Sequence, residues 1–313
     1  MEPRANDAAY HRPVLLAECL AALALVPGGR YVDVTFGGGG HSARVLEQLV
    51  DGQLYSFDQD DAAEREAAAL ARPQFTFVRA NFRHLTSELA RRGALPVDGL
   101  LADLGVSSHQ FDTAQRGFST RFDGPLDMRM NPEDAHVATA ADVLNDYDEA
   151  ALHRIFGMYG EVTNARTLAA TVVQARRQRP LRTIAELKQA IVPVTPRGKE
   201  NKYLAQVFQA LRIEVNDELA ALQAMLTQTA QVLRPGGRLV VMSYHSLEDR
   251  LVKNYLAQGK FFGQAAKDLY GRTQLPFEAL TRKPVEASAD EIALNSRARS
   301  AKLRVGVRTT NPA

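Results

Sequence analysis

The chain has 313 residues, of which 45% are hydrophobic and 24% are charged, and it contains one cysteine. This composition is ordinary for a globular protein, and it excludes a disordered chain, a collagen-like fibre and a disulfide scaffold. No stretch approaches the roughly 18 consecutive apolar residues that a membrane-spanning helix needs. We therefore expect a cytoplasmic protein of about two domains, with no membrane partner.

The formal net charge is only +2, but the charges are unevenly distributed. Residues 1–110 contain 10 Lys and Arg against 14 Asp and Glu, whereas residues 154–212 contain 11 against 3 and residues 282–308 contain 7 against 3. Basic segments that follow an acidic one indicate a polyanionic partner that is held away from the acidic part. A solvated basic helix face would give the same pattern.

Strands and helices alternate through the first third of the chain. An amphipathic helix is predicted over residues 13–26, because its apolar side chains recur with a period near 3.6. Strands are then predicted over residues 30–36, 53–57, 75–78 and 97–102, with a helix after each of the first three. This alternation predicts a parallel, doubly wound sheet.

The alternation stops between residues 112 and 216, where we predict loops and helices but no strand. It then resumes with a helix, an apolar strand that ends at Ser243, a second helix and two late strands. These elements cover residues 217–233, 233–243, 246–257, 277–282 and 301–308.

The interruption predicts a discontinuous α/β domain, formed by residues 10–112 and 217–308. Residues 113–216 would form a mostly helical insertion, which we expect to recognise the substrate. Within it, residues 193–202 have the composition of a linker, so a mobile loop is expected there.

A run of four glycines, residues 37–40, separates the first predicted strand from the next helix. Glycines at this place let a ligand approach the backbone closely and meet a helix N-terminus. The second strand ends at Asp58, whose carboxylate is suited to accept hydrogen bonds from both hydroxyls of a ribose. Together these features predict a nucleoside-cofactor site. A plain glycine turn followed by a helix-capping aspartate is the alternative.

Two cofactors fit this arrangement, a dinucleotide and S-adenosylmethionine. The pyrophosphate of a dinucleotide needs backbone amides and a helix dipole, whereas the sulfonium cation is favoured by nearby acids. Acidic residues lie just before the glycine loop (Asp33), just after the second strand (Asp58, Asp60 and Asp61) and after the fourth strand (Asp103), and this acidic setting favours S-adenosylmethionine. An NAD-dependent oxidoreductase remains the alternative enzyme.

Seven motifs occur along the chain in an order that identifies a family. They are DVTFGGGGHS (33–42), DLGVSSHQ (103–110), RGFS (116–119), GPLDMRM (124–130), FQALRI with VN (208–216), SYHSLEDR (243–250) and RARSAKLR (297–304). With these motifs the chain resembles the bacterial ribosomal RNA small-subunit methyltransferase H family, also called MraW, over about residues 10–308. The resemblance implies a Rossmann-like sheet that binds S-adenosylmethionine, and methylation of the exocyclic N4 of a cytidine in the decoding region of 16S rRNA.

The resemblance also implies the cofactor contacts. They comprise a glycine–histidine loop, a ribose-binding acid, an aromatic residue at the adenine pocket, an acid after the fourth strand and a glutamine. The matching residues in this sequence are Gly39, Gly40, His41, Asp58, Phe82, Asp103 and Gln110.

The N4 amine of cytosine is a poor nucleophile because its lone pair is delocalised into the ring. The site therefore needs an acceptor that orients the amine, and we assign Asp103 to orient either the amine or the cofactor, with a strand-end capping carboxylate as the alternative. Tyr244 and His245 follow the fifth strand, at the edge where such sheets bind ligands. Tyr244 is predicted to stack on the target base and His245 to accept a proton, although a structural histidine fits equally well.

The basic segments suit RNA, whose phosphates supply affinity while a single splayed base is read in a pocket. The candidate contacts to 16S rRNA or the small ribosomal subunit are Arg176, Arg177, Arg179, Arg297 and Arg299. A non-catalytic RNA-binding ribosome assembly factor is the alternative from a different class. A homodimer is left open, and one cysteine with scattered histidines predicts no metal site.

Overall fold

The structure is a computed structural model that describes residues 13–265 and 273–311. In these residues the sheet has seven strands, in the order β3-β2-β1-β4-β5-β7-β6. The strands are β1 (Arg30–Asp33), β2 (Gln53–Asp58), β3 (Phe75–Arg79), β4 (Val97–Asp103), β5 (Leu233–Ser243), β6 (Phe277–Ala279) and β7 (Lys302–Arg308).

The helices of the described residues pack around this sheet or form a separate helical segment. They are α1 (Leu16–Leu23), α2 (Gly40–Leu46), α3 (Asp61–Ala67), α4 (Leu85–Arg91), α5 (Ser108–Asp112), α6 (Ala140–Asp146), α7 (Glu149–Met158), α8 (Ala165–Gln178), α9 (Ile184–Ile191), α10 (Glu200–Asn216), α11 (Glu218–Val232), α12 (Ser246–Gln258) and α13 (Ala289–Leu294). None of these helices is both long enough and apolar enough to cross a membrane.

The first five strands run parallel, and β7 is antiparallel to both β5 and β6. Parallel strands that are covered on both faces need continuous apolar runs, and Leu100, Leu101 and Ala102 of β4 are at most 1% exposed. The predicted parallel, doubly wound sheet is confirmed for these strands. The pairing of β4 with β5 shifts from Val97–Leu233 to Gly99–Arg238 because a Pro-Gly-Gly turn adds residues to β5.

The observed elements differ from the predicted ones mainly at their ends. The first helix ends at Leu23 instead of residue 26, because Ala24 turns into the left-handed region with φ 49°. The loop expected over residues 193–202 is shorter, since α10 begins at Glu200. The Glu200 carboxylate accepts a hydrogen bond from the Gly198 backbone at 2.8 Å, which fixes the start of that helix.

The described chain divides into two compact units. Unit 1 contains the sheet and comprises the described residues up to Gly105 and from Ala220 onward. Its core includes Cys19 and Leu23 of α1, which are at most 2% exposed. Burial raises the pKa of the Cys19 thiol, which keeps it protonated as part of this core.

Unit 2 is the continuous helical segment Val106–Leu219, and it has a core of its own. A loop of this unit is held by Asn216 at the end of α10. The Asn216 side chain donates to the Met128 carbonyl at 2.7 Å and accepts from the Met130 backbone at 2.7 Å. These bonds fix a segment in which Met128 adopts φ 62°, a conformation that a non-glycine residue rarely takes.

Candidate cofactor site and active site

The parallel strands of unit 1 bring four side chains to one edge of the sheet. Asp33 ends β1, Asp58 ends β2, Asp103 ends β4 and Tyr244 follows β5. Because β1 lies between β2 and β4, and β4 pairs with β5, these residues are neighbours along that edge. Open α/β sheets bind ligands at this edge, at the point where the strand order reverses.

Asp33 supports the glycine loop from inside the protein. Its side chain is 1% exposed and accepts hydrogen bonds from the Thr35 backbone at 3.0 Å and from Ser42 Oγ at 2.7 Å. Ser42 Oγ also lies 2.7 Å from Ser56 Oγ. The carboxylate is thus occupied within the protein, so Asp33 holds the loop and does not offer the exposed charge that the sequence suggested.

The glycine loop contains two glycines at which neighbouring side chains leave no room for a Cβ atom, and one glycine at which a Cβ atom would have space. Gly39 has φ 75°, and a Cβ there would lie 2.6 Å from the Phe36 ring. A Cβ on Gly40 would lie 2.6 Å from Pro13 Cγ. Gly38, in contrast, is exposed, and nothing lies within 4 Å of its Cβ position. Protein atoms therefore account for the lack of a side chain at Gly39 and Gly40, and Gly38 presents the open backbone.

Asp58 is fixed by two backbone donors. Gly37 N–H donates to Oδ2 at 2.8 Å and Asp60 N–H donates to Oδ1 at 2.9 Å. A carboxylate has about four acceptor positions, so capacity remains for the hydroxyls of a ribose. Burial raises the pKa of Asp58 to about 6, which leaves the group ionised at neutral pH.

Phe82 lies in a short 3₁₀ turn that follows β3. Asn81 caps this turn by accepting from the Arg83 backbone at 2.9 Å, and its side-chain amide donates to Gln59 Oε1 at 2.9 Å. Gln59 is the residue after Asp58, so the turn that carries Phe82 is tied to the end of β2. The role of Phe82 at an adenine pocket stays a prediction.

Asp103 is the centre of a polar cluster at the end of β4. Its Oδ1 accepts a hydrogen bond from the Tyr244 hydroxyl at 2.8 Å, and its Oδ2 lies 3.7 Å from His41 Nδ1. The Asp103 backbone donates to Thr35 Oγ1 at 2.6 Å, which ties β4 to the residues before the glycine loop. The side chain is 24% exposed, so the carboxylate keeps an open face. Partial burial raises its pKa to about 6, against the opposing effects of His41 and the Tyr244 hydrogen bond.

His41 and Tyr244 both orient their polar atoms toward Asp103. His41 is 7% exposed, and its Nε2 lies 3.1 Å from the Val14 carbonyl, to which an Nε2–H donates. That bond leaves Nδ1 on the side of Asp103. Burial and the charge of Asp103 raise the pKa of Tyr244 well above its ordinary range, so the phenol stays protonated as a donor. Base stacking on Tyr244 stays a prediction.

His245 and Glu248 form a buried pair at the start of α12. The two side chains are 9% and 4% exposed, and His245 Nε2 lies 3.2 Å from Glu248 Oε1. Glu248 Oε2 accepts a hydrogen bond from the Tyr244 backbone at 3.0 Å. The sequence motif indicates His245 but not Glu248, although a carboxylate three residues after the N-cap of a helix is a recognisable capping signal.

Gln110 lies in unit 2, in the first turn of α5. Its Oε1 accepts from the Ser107 backbone at 3.0 Å, and its backbone donates to Ser107 Oγ at 3.2 Å, which forms a capping box. The side chain is 4% exposed. This contact gives Gln110 a structural role in starting α5, and its part in cofactor binding stays a prediction.

The three candidate RNA contacts of unit 2 differ in their surroundings. Arg176 is half-buried and donates to the Leu144 carbonyl at 2.6 Å, which caps the end of α6. Arg177 is exposed. Arg179 pairs with Glu186 at 2.7 Å, but its side chain is 81% exposed. Only Arg177 and Arg179 of this group therefore present their charge on the surface.

The two candidate RNA contacts of unit 1 lie near its C-terminal strand. Arg297 and Arg299 belong to the 3₁₀ turn Ser296–Ser300, which precedes β7. Both are exposed, while Ala298 between them is buried. The turn thus carries two exposed cationic residues.

This sheet differs from that of the dinucleotide-binding fold, whose strand order is 3-2-1-4-5-6. The difference is the seventh, antiparallel strand β7, which lies between β5 and β6. The sheet is that of Rossmann-like methyltransferases that use S-adenosylmethionine, and the carboxylates of Asp58 and Asp103 suit a sulfonium cation. Comparison with known families gives the same class, because the profile of the MraW methylase family matches residues 8–309. The chain belongs to the MraW methylase family.

Relatives of known name support this membership. The chain is 55% identical over 299 residues to the ribosomal RNA small subunit methyltransferase H of Cytophaga hutchinsonii, covering 96% of this chain and 99% of the relative. It is 52% identical to the protein of that name from Amoebophilus asiaticus, covering 96% of each chain. It is 53% identical to the one from Parabacteroides distasonis, covering 96% of this chain and 98% of the relative. The chain is a methyltransferase with S-adenosylmethionine as its cofactor, and the NAD-dependent alternative has no support.

Proposed function

We propose that the enzyme methylates the exocyclic N4 of a cytidine in the decoding region of 16S rRNA. The observation that carries this proposal is the 55% identity with a ribosomal RNA small subunit methyltransferase H over 96% of the chain. The polar cluster around Asp103, at the ligand-binding edge of the sheet, supports it. A substrate in the small ribosomal subunit also implies that the enzyme works in the cytoplasm.

The residues at the sheet edge fit S-adenosylmethionine. Asp58 has acceptor capacity for the ribose, Phe82 lies in the adjoining turn, and Gly38 offers open backbone. When bound, this cofactor supplies a methyl group on a sulfonium, which is a strong electrophile. The chain then has mainly to position the amine in line with that methyl, which contributes on the order of 7–11 kcal/mol in favourable cases.

Asp103 has the chemistry to position the amine. Its carboxylate is held by the Tyr244 hydroxyl at 2.8 Å and is 24% exposed, so it can accept a hydrogen bond from a ligand without moving. An N4–H bond directed at Asp103 turns the amine out of conjugation with the ring and frees its lone pair. The methylated nitrogen must then lose a proton, and His245 is the acceptor we assign to that proton.

Transfer of a tritiated methyl group tests the proposed function. The substrate is the small ribosomal subunit from a strain that lacks this protein, and the labelled RNA is digested to nucleosides. We expect the label in N4-methylcytidine. Label in a different nucleoside would overturn the substrate assignment, and absence of transfer would favour a non-catalytic assembly factor.

Gly38→Ala is expected to weaken S-adenosylmethionine binding about tenfold, or about 1.4 kcal/mol. A Cβ at Gly38 meets no protein atom within 4 Å, so it can act only on a bound ligand, and thermal stability should not change. Gly28→Ala is the matched control, because Gly28 also has an open Cβ position but lies in the turn before β1. Calorimetric titration and a melting curve check both variants. Equal affinities for the two would place the cofactor away from Gly38.

We propose that unit 2 recognises the RNA through Arg177 and Arg179. Arg177→Gln together with Arg179→Gln should raise the KM for the small subunit. It should also flatten the dependence of log K on log salt by up to about 0.7–0.9 for each phosphate that the variant no longer neutralises. Arg176 is left unchanged, because its replacement would also remove the hydrogen bond to the Leu144 carbonyl. The effect of the lost charge on RNA binding would then not be separable from an effect on stability.

Arg72→Gln with Arg91→Gln is the matched control for the RNA variant. Like the test pair, it combines one exposed arginine with one that forms an exposed ion pair, at 3.0 Å to Glu88, but it lies in the acidic part of unit 1. Equal KM values and equal salt slopes for the two double variants would show that Arg177 and Arg179 of unit 2 do not bind the substrate. The RNA-binding role would then be assigned to Arg297 and Arg299.

A further inference from the structure

A buried carboxylate, Glu248, lies in the first turn of α12. Glu248 is 3% exposed and contacts two consecutive residues that follow β5. Its Oε2 accepts from the Tyr244 backbone at 3.0 Å, and its Oε1 lies 3.2 Å from His245 Nε2.

His245 is the second unusual group of this pair. Its side chain is 9% exposed, and among the described residues neither ring nitrogen has a hydrogen-bond partner. The approach of Glu248 Oε1 is close enough for a bond but not aligned as one. Catalytic hydrogen bonds are often misaligned in free enzymes and tighten in the substrate complex. The imidazole therefore has hydrogen-bonding capacity that the described residues leave unfilled.

We propose that Glu248 is a positioning residue that fixes His245 in the Nε2–H tautomer, so that Nδ1 is the proton acceptor of the reaction. This inference rests on the proposed function. As the N4–CH₃ bond forms, the S–CH₃ bond breaks and its electron pair stays on sulfur. N4 then carries the positive charge and releases its proton to Nδ1, while Glu248 stabilises the resulting imidazolium.

The residue type supports this role, because a carboxylate can serve two donors at once. One Glu248 oxygen takes the Tyr244 backbone N–H, and the other faces His245 Nε2. A glutamine has one acceptor oxygen and would leave one of these donors facing an NH₂ group.

The kinetic test is a double-mutant cycle between Glu248→Gln and His245→Ala. Glu248→Gln is expected to lower kcat about 10- to 100-fold at saturating substrates, with the affinity for S-adenosylmethionine unchanged. In the His245→Ala background the same change should alter kcat less than twofold. Equal decreases of kcat in both backgrounds would show that Glu248 acts independently of His245 and would overturn the proposal.

Glu291→Gln is the matched control for Glu248→Gln. Glu291 also lies in the first turn of a helix of unit 1 and accepts a backbone bond, from Leu15 at 2.7 Å. It should leave kcat unchanged. A decrease of kcat as large as that of Glu248→Gln would mean that removing any such helix-start carboxylate has this effect, and it would overturn the assignment.

A second readout is independent of methyl transfer. Nitrogen-15 NMR of the imidazole rings, with His245 assigned from the His245→Ala spectrum, reports which ring nitrogen carries hydrogen. We expect Nε2–H in the wild type and an increased Nδ1–H population in Glu248→Gln. Nδ1–H in the wild type, or no change in the variant, would overturn the inference even if transfer to N4 is found. Failure of transfer with the expected NMR result would instead overturn the proposed function.

Discussion

Asp103→Asn is expected to lower the single-turnover rate of methyl transfer about 10²-fold, the loss expected when a reacting group is misplaced. The amide keeps an oxygen that can accept from the Tyr244 hydroxyl but lacks the negative charge that draws the N4–H bond. Rapid-quench measurement at saturating cofactor isolates this step. The affinity for S-adenosylmethionine should fall less than tenfold. The opposite result, weak cofactor binding with an unchanged rate, would assign Asp103 to the cofactor.

The wild-type rate should also depend on pH through this group. The pKa of Asp103 is raised to about 6, so lowering the pH below that value protonates the carboxylate and removes the acceptor. The rate should therefore decline on the acid side of about pH 6, and Asp103→Asn should lose this dependence. Tyr244→Phe is the companion variant. It removes the hydroxyl that holds the carboxylate but keeps the charge, so its rate should lie between those of the wild type and Asp103→Asn.

Asp58→Ala is expected to abolish recognition of the cofactor ribose. Removing each charge-assisted hydrogen bond corresponds to about 1.5–3 kcal/mol, or about 10- to 150-fold in affinity. The carboxylate also anchors Gly37, so weaker binding alone would not separate ribose recognition from loop collapse. Comparing S-adenosylhomocysteine with its 2′,3′-dideoxy analogue separates them. The wild type should prefer the hydroxylated ligand strongly and the variant should not, whereas undiminished preference in the variant would refute the ribose assignment.

Cofactor affinity should follow the ionisation of Asp58. Its pKa is about 6 in the free protein, and a bound cation lowers it further, so binding releases a proton below that pH. Affinity should rise with pH up to about 6 and then level off. Calorimetry in buffers of different ionisation enthalpy measures the released proton directly, and Asp58→Ala should reduce it.

The acidic residues at the ligand-binding edge of the sheet could be predicted from the sequence, because local patterns identify the end of each strand. Strand patterns ended at Asp58 and Asp103, and parallel strands must bring such ends together. The function of Asp33 could not be predicted in this way, since the same pattern that gives an exposed acid also gives one occupied by Ser42. Whether a carboxylate faces ligand or protein depends on three-dimensional neighbours that composition does not specify.

The same limit applies to residues whose partners are distant in sequence. Arg176 looked like its neighbours Arg177 and Arg179, but it reaches Leu144, 32 residues away, and caps a different helix. Gly39 and Gly40 were assigned to cofactor approach, and the structure adds packing against Phe36 and Pro13 as a reason for their size. Glu248 belongs to the motif of residues 243–250, but its contacts with Tyr244 and His245 depend on how α12 follows β5 in three dimensions.

The antiparallel strand β7 makes completion of the sheet depend on the last part of the described chain. β7 covers Lys302–Arg308 and pairs with β5 along residues 238–243, next to the strand end that carries Tyr244. The strands β1 to β4 emerge from the ribosome first, followed by the continuous unit 2, which has a hydrophobic core of its own. The sheet must wait for β5 and then for β7. A nascent chain thus completes its catalytic edge only after more than 300 residues have been made, so translation of nearly all of the described chain precedes its competence to modify ribosomal RNA.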